Sequence, residues 1–251
     1  MRRALAAALL ATAAASIPGA AAGGGIGLSA SPLRLTLIGA SASAITVRNP
    51  GRRPLLVDVS RAGFARSLRG RPYVRPARGA VAWLRVRPRR LRVAPGTKAV
   101  LHVAARPPRR AEPGDHPALV LLTTRPLGAR RVRVRLRLGV IVVLHVRGRI
   151  VRRLDARALT VHRRGSRRLL ELRLVNRGNV TERIGRDGLR LTLVAHGRRL
   201  ARLRPRGREL LPRSAGIAEF TYRGGARGLA VARIELPRTV RGQLRAFRIR
   251  L

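Results

Sequence analysis

The sequence predicts an all-β protein: two tandem β-sandwich domains behind an amino-terminal export signal. Three observations carry this. Between Pro88 and Arg125 short apolar runs are cut by the turn pairs Pro95-Gly96 and Pro113-Gly114. Proline fixes φ and glycine accepts positive φ, so such pairs end elements, while Val100, Leu101 and Val103 supply strand-forming bulk. From Arg131 to Leu138 arginine and apolar residues alternate strictly. That period of two puts Arg131, Arg133, Arg135 and Arg137 on one face of a strand and Val132, Val134, Leu136 and Leu138 on the other. After the leader, no stretch shows a sustained 3.6-residue apolar period with caps.

The leader itself is a charged Met1-Arg2-Arg3 followed by an apolar alanine- and leucine-rich segment and small residues ending at Ala22. It reads as a signal peptide, residues 1–22. Its apolar part is shorter than the ~20 residues of a membrane span, which disfavours an uncleaved anchor. At roughly 100–150 residues per domain, the remainder divides into two, read as 23–147 and 148–251. The chain is 45% apolar but only 2% aromatic, so the cores must be built from Leu, Val, Ile and Ala. With no cysteine, the exported chain has neither disulfide staples nor thiol chemistry.

In the first domain, alternating stretches are read at Leu33–Ile38, Ala44–Val47, Leu55–Val59, Val81–Val86, Leu91–Val93, Lys98–Ala104 and Ala118–Thr123, closed by a strand after Arg130. Asn49-Pro50-Gly51 supplies a further turn. Short strands at such close spacing form an immunoglobulin-like sandwich. A second pass follows. Leu159-Thr160-Val161, Leu169–Val175 and Asn176-Arg177-Gly178 repeat Leu35-Thr36-Leu37, Ala44–Val47 and Asn49-Pro50-Gly51. Further strands fit Leu189–Val194, Leu200–Leu203, Ile217–Tyr222, Leu229–Leu236 and Leu244–Ile249. Nearly all the proline residues are read in turns or at strand ends, and the hinge between domains falls around Leu144–Ile150.

The net charge is +46, and Lys98 is the only basic residue that is not arginine. A GC-rich genome explains arginine over lysine but not the scarcity of acids, so anionic surroundings remain a reading of the charge. No catalytic constellation is read: there is no G-x-S-x-G elbow, and Glu112 and Asp115 read as a solvated loop rather than an acid–base pair. His102, His116, His145, His162 and His196 lack ligand spacing, so no metal and no cofactor is assigned. Gly25–Ala30 matches a dinucleotide fingerprint formally, but no strand precedes it and Pro32 follows, so it reads as a spacer. Asn179-Val180-Thr181 reads as a chance sequon. Trp83 reads as ordinary edge or core burial. With so few aromatics, specific nucleic-acid binding is not expected.

Ser31-Pro32-Leu33-Arg34-Leu35, Ile45–Asn49, Leu91–Lys98, Ala118–Thr124 and the strand Val132–Val146 together resemble the amino-terminal domain of the periplasmic pilus chaperones. The second domain resembles their carboxy-terminal sandwich in size and class. Tandem sandwiches of Gram-positive cell-surface proteins are similar too. In the chaperones an arginine on the first strand and a lysine on the last strand grip the client's terminal carboxylate, and the last strand lends alternate apolar side chains. The resemblance puts that arginine at Arg34; the lysine is missing, its place being Val140-Ile141-Val142. It implies strand lending through Val132, Val134, Leu136 and Leu138, which would otherwise face their own core. The expected function is an exported, non-enzymatic, envelope-associated binding or assembly factor, contacting an exported or surface protein subunit through sheet edges. The rival is a scaffold whose Arg131, Arg133, Arg135 and Arg137 hold anionic cell-wall polymer or lipid headgroups at a membrane surface.

Overall fold

The computed structural model describes residues 27–126, 133–185, 188–236, 240 and 246–251. The leader, Arg131 and Val132 lie outside the described residues. No described helix is long and apolar enough to cross a membrane.

The first half runs β1 (Ser29–Ser31), β2 (Arg34–Ile38), β3 (Ala42–Arg48), β4 (Leu55–Arg66), β5 (Pro72–Arg75), a 3-10 turn (Gly79–Trp83), β6 (Leu84–Arg87), β7 (Arg90–Val93), β8 (Lys98–Ala105), β9 (Gly114–Thr124) and β10 (Arg137–Val146). One sheet has the order β1-β3-β8-β6; the other has β2-β10-β9-β4-β5, with β7 also on β4. Alternation decides what lies between them. In β8, Leu101 and Val103 are buried while Val100 and His102 are exposed, as a period of two demands. Leu101 packs with Ile45, Leu84, Leu122 and Leu144 in the first core.

The second half runs β11 (Leu154–Arg164), β12 (Arg167–Asn176), β13 (Glu182–Ile184), β14 (Arg190–Ala195), β15 (Arg198–Leu203), β16 (Arg208–Leu210), β17 (Ala215–Tyr222), β18 (Leu229–Glu235) and β19 (Ala246–Arg250). Its sheets are β11-β12-β17, β15-β14-β18-β19 and the short pair β13-β16. A separate core forms around Leu170, Leu172, Leu191, Leu193 and Phe220. The fold is all-β, two immunoglobulin-like sandwiches in tandem.

The repeat read in the sequence has a common physical basis in its turns. Asn49 and Asn176 are both fully buried. In each, the side-chain oxygen accepts the N–H two residues on, from Gly51 at 2.9 Å and Gly178 at 2.8 Å. Each amide donates to the strand end opposite, Val93 O at 3.0 Å and Leu210 O at 3.2 Å. The facing turns match as well: Thr97 Oγ1 bonds Ala94 O and Ser214 Oγ bonds Leu211 O. The pairs β3/β8 and β12/β17 are therefore equivalent. Their first strands are not, because β2 leaves β3 and pairs in parallel with β10, whereas β11 stays on β12. Pro32, which has no N–H to offer a ladder, separates β1 from β2 at that change of sheet.

Four local expectations change. Val81–Val86 is not one strand; Val81 and Leu84 both face inward, a spacing of three that a 3-10 turn satisfies and a strand does not. Ser29 and Ala30, read as the end of a spacer, pair with β3 together with Ser31. Pro117 sits inside β9, beyond the point where β4 pairing ends at Gly63–Ala118, so its missing N–H breaks no bond to β4. The closing strand of the first half begins at Arg137 rather than before it.

Candidate functional site

Strand β10 is paired on one side along its whole length by β9, from Arg137–Thr123 to Val146–Gly114. On the other side β2 covers only Ile141 to His145. Among the described residues, the edge from Arg137 to Val140 on that side therefore lies open. Ile141 N donates to Leu33 O at 3.0 Å, away from β9, while Leu136 O accepts Thr124 N at 2.9 Å, toward β9. Backbone groups alternate sides along a strand, so Arg137 and Gly139 direct N–H and C=O outward at this open edge.

The open edge adjoins the seam between the two halves. On the seam face of its sheet, Ala62, Phe64, Leu119 and Leu121, with Ile141, form an apolar patch capped by Leu211 of the second half. A cleft of about 370 Å³ lies beside it, lined by Phe64, Arg66, Tyr73 and Pro117 on one side and Leu211 and Arg213 on the other.

Polar contacts pin the seam at two places besides the Arg34–Glu209 pair. At the first, Asp115 accepts His145 Nδ1–H at 2.8 Å on one oxygen and Thr181 N–H at 2.8 Å on the other. Asp115 N donates to Asn179 O at 2.8 Å, and the Asn179 amide donates to Pro113 O and Arg149 O, both at 2.9 Å. Gly114, at φ +116°, lies so close to Asn179 that a Cβ there would sit 2.8 Å from its carbonyl carbon. Glu112 pairs with Arg213. At the second place, the β4–β5 turn reaches β17, where Ile217 N donates to Leu68 O at 2.8 Å. Glu171 and Glu219 stand directly opposite on β12 and β17. Like charges so placed repel. Arg69 lies between them, 2.8 Å from Glu171 and 3.4 Å from Glu219, and its pKa is raised, first by the hydrogen bond to Glu171.

Arg34 opens β2, directly opposite Ile141 at the inner limit of the open edge. Its guanidinium holds Glu209 of β16 at 2.5 Å. Arg66 approaches the same carboxylate oxygen at 3.6 Å, and Arg183 lies 3.9 Å from the other. Arg66 also donates to Gly70 O at 3.1 Å and lies over the Phe64 ring, yet its buried Nε has no hydrogen-bond partner.

The structure places the residues singled out in sequence unevenly. Arg133, Val134, Arg135 and Arg137 are exposed, Leu136 is half-buried, and Leu138 packs against the first core. Of the sequence-derived set, Arg34 alone joins the seam cluster. Asp115 is not part of a solvated loop, since its side chain is 15% exposed. Asn179 is a seam residue whose amide and carbonyl are both engaged. Trp83 is partly buried against the first core, edge-on to His116 at 4.9 Å. Arg66, Arg69, Glu171 and Glu209 carried no sequence signal, because no motif joins residues from separate sandwiches. Among the described residues no group of three or more potential metal ligands converges.

The all-β fold of two sandwiches in tandem is similar to that of solved fimbrial chaperones. The class 5 fimbriae chaperone CfaA superposes with a TM-score of 0.50 at 8% identity, covering 88% of this chain and 98% of that one. A chain from a chaperone–tip adhesin complex of CFA/I fimbriae biogenesis gives a TM-score of 0.50 at 9% identity, with the same coverage. At such identity the likeness concerns the fold. No protein-family model and no curated protein matches the sequence.

Proposed function

We propose that this chain is an exported, non-enzymatic binding or assembly factor of the cell envelope that receives an extended segment of a surface protein subunit on the open edge of β10. The signal peptide, residues 1–22, would be removed, leaving domains 23–147 and 148–251 joined through Arg147–Ile150. The observation that carries the reading is the run Arg137–Val140, which among the described residues has no strand on the side away from β9 and ends at Arg34. An added strand gains affinity from main-chain hydrogen bonds and specificity from alternate side chains. A guest running parallel to β10 would lie in line with β2 and bring its carboxy-terminus to Arg34. The guanidinium there favours a carboxylate over an ammonium group. Val134 and Leu136 would contact the guest, with Val132 before them, while Leu138 anchors the strand to its own core. A described complex of a chaperone of this fold with a tip adhesin supports a protein subunit as the partner class.

The test uses a synthetic peptide of alternating valine and threonine with a free carboxy-terminus, followed by fluorescence anisotropy. Gly139→Pro deletes an outward N–H and leaves the β9 ladder intact, a position where an edge strand accepts proline. Binding should fall at least about tenfold, with the melting temperature nearly unchanged. Undiminished binding to Gly139→Pro refutes edge addition. Loss of wild-type binding as salt rises, as counterion release requires, would favour the arginine-faced scaffold instead.

A further inference from the structure

Glu209 is the only carboxylate at the Arg34 end of the open edge among the described residues, and it comes from the other half of the molecule. Three guanidiniums converge on it. Arg183 is its cross-strand partner in the β13–β16 pair and holds it from its own sandwich. Arg34 and Arg66 hold it across the seam. One carboxylate among three guanidiniums leaves the cluster cationic, and the buried Arg66 Nε has a hydrogen to give and no acceptor. Such an unpaired buried donor is costly. A second acceptor, or one with a different reach, would satisfy it.

We propose that Glu209 is a self-cap: a carboxylate supplied in cis that occupies the anion site of Arg34 and Arg66 until a guest's carboxylate displaces it. This rests on the strand-addition reading for the identity of the guest, but the cap itself rests on the arginine geometry alone. The cap lowers the affinity of the empty site for stray anions and couples guest entry to release of a bond across the seam. Glu209 sits on the three-residue strand β16, so its release asks little of the second sandwich beyond the β13–β16 pair.

Two probes separate the cap from the guest reading. Saturation-transfer NMR with propionate reads the bare anion site. Glu209→Gln should bind propionate roughly tenfold more tightly than the wild-type chain, and Glu209→Gln combined with Arg34→Gln should return to the wild-type level. Arg183→Gln, at a side chain 85% exposed, loosens Glu209 without touching Arg34 or Arg66. It should strengthen propionate binding by about two- to threefold, and it keeps the idea testable should Glu209→Gln fold poorly. Propionate affinity that does not rise in either variant overturns the self-cap. The second probe is the valine–threonine peptide, with its carboxy-terminus free or amidated. Glu209→Gln should widen the preference for the free carboxylate. If the wild-type chain binds the peptide and Glu209→Gln binds both forms identically, the cap is refuted and strand addition stands. If propionate behaves as expected and neither peptide binds, the cap stands as an anion site and the guest reading fails.

Discussion

Gly114 is the tightest point of the seam, and replacing it by alanine has a cost that follows from geometry. Its φ of +116° is one that side chains rarely adopt, and a Cβ would overlap the Asn179 carbonyl oxygen and sit 2.8 Å from the carbonyl carbon. Ordinary contact begins near 3.4 Å, so the 177–181 loop must retreat by at least about 0.6 Å. Retreat stretches the bond from Asp115 N to Asn179 O and the bond from the Asn179 amide to Pro113 O. Two hydrogen bonds at about 1 kcal/mol each and a strained backbone at about 1–3 kcal/mol give roughly 3–5 kcal/mol. In a chain of this size the melting temperature should fall by roughly 10 °C, read by circular dichroism on the mature protein. Gly39→Ala is the control. Gly39 has φ +60° with nothing within 4 Å of the added Cβ, so it bears only the backbone cost of about 1–2 kcal/mol. If Gly114→Ala melts no lower than Gly39→Ala, the seam is not held by this contact and the reasoning is wrong.

Asn176→Ala removes the donor to Val180 O, Leu210 O and Leu211 O and should cost about 2–4 kcal/mol in urea denaturation. Arg69→Gln leaves Glu171 and Glu219 facing each other, so hydrogen exchange at Ile217 N, which bonds Leu68 O across the seam, should speed up while exchange in the first core does not. Acid should weaken the fold through Asp155. Burial pushes its pKa up, but the Arg177 hydrogen bond with the charges of Arg153 and Arg157 outweighs burial and holds it below the ordinary carboxylate range. A carboxyl depressed in the folded state contributes stability above its unfolded value, near pH 3.9, and loses it as pH falls through the folded value. The drop in melting temperature between about pH 5 and pH 2 should be shallower for Asp155→Asn; an identical drop would rule out this carboxyl as a source.

What could be read from sequence was what repeats within one strand or one turn. Alternation at Lys98–Ala104 and Leu169–Val175 gave the strands and their inner faces, because a period of two is a local property. The Asn-x-Gly turns were readable as turns and as a repeat, since the asparagine bonds a residue two positions on. Their burial, and the carbonyls they satisfy 34 to 44 positions away, were not. Val81 misled because one apolar residue out of phase in a short run does not separate a 3-10 turn from a strand. The seam was illegible for a stronger reason. Arg34 and Glu209 are 175 positions apart, and nothing in either neighbourhood marks the other.

The seam also bears on the arginine surplus. Codon drift explains arginine in place of lysine, and it predicts that the few acids fall anywhere. They do not. Glu112, Asp115, Glu171, Glu209 and Glu219, five of the ten acidic residues in the chain, bond across the two sandwiches or face a cation that does. Of the others described, Asp58, Asp155, Glu182 and Glu235 each have an arginine partner within one half. Negative charge is thus concentrated where it joins the halves, and the outer faces are left cationic. That has a consequence for the open edge. An unpaired strand invites a second copy of itself, but two copies meeting at β10 would bring Arg133, Arg135 and Arg137, all exposed, against the same residues of the other. On the strand-addition reading, this charge would oppose pairing of the edge with its own kind while leaving it accessible to a guest that lacks that charge.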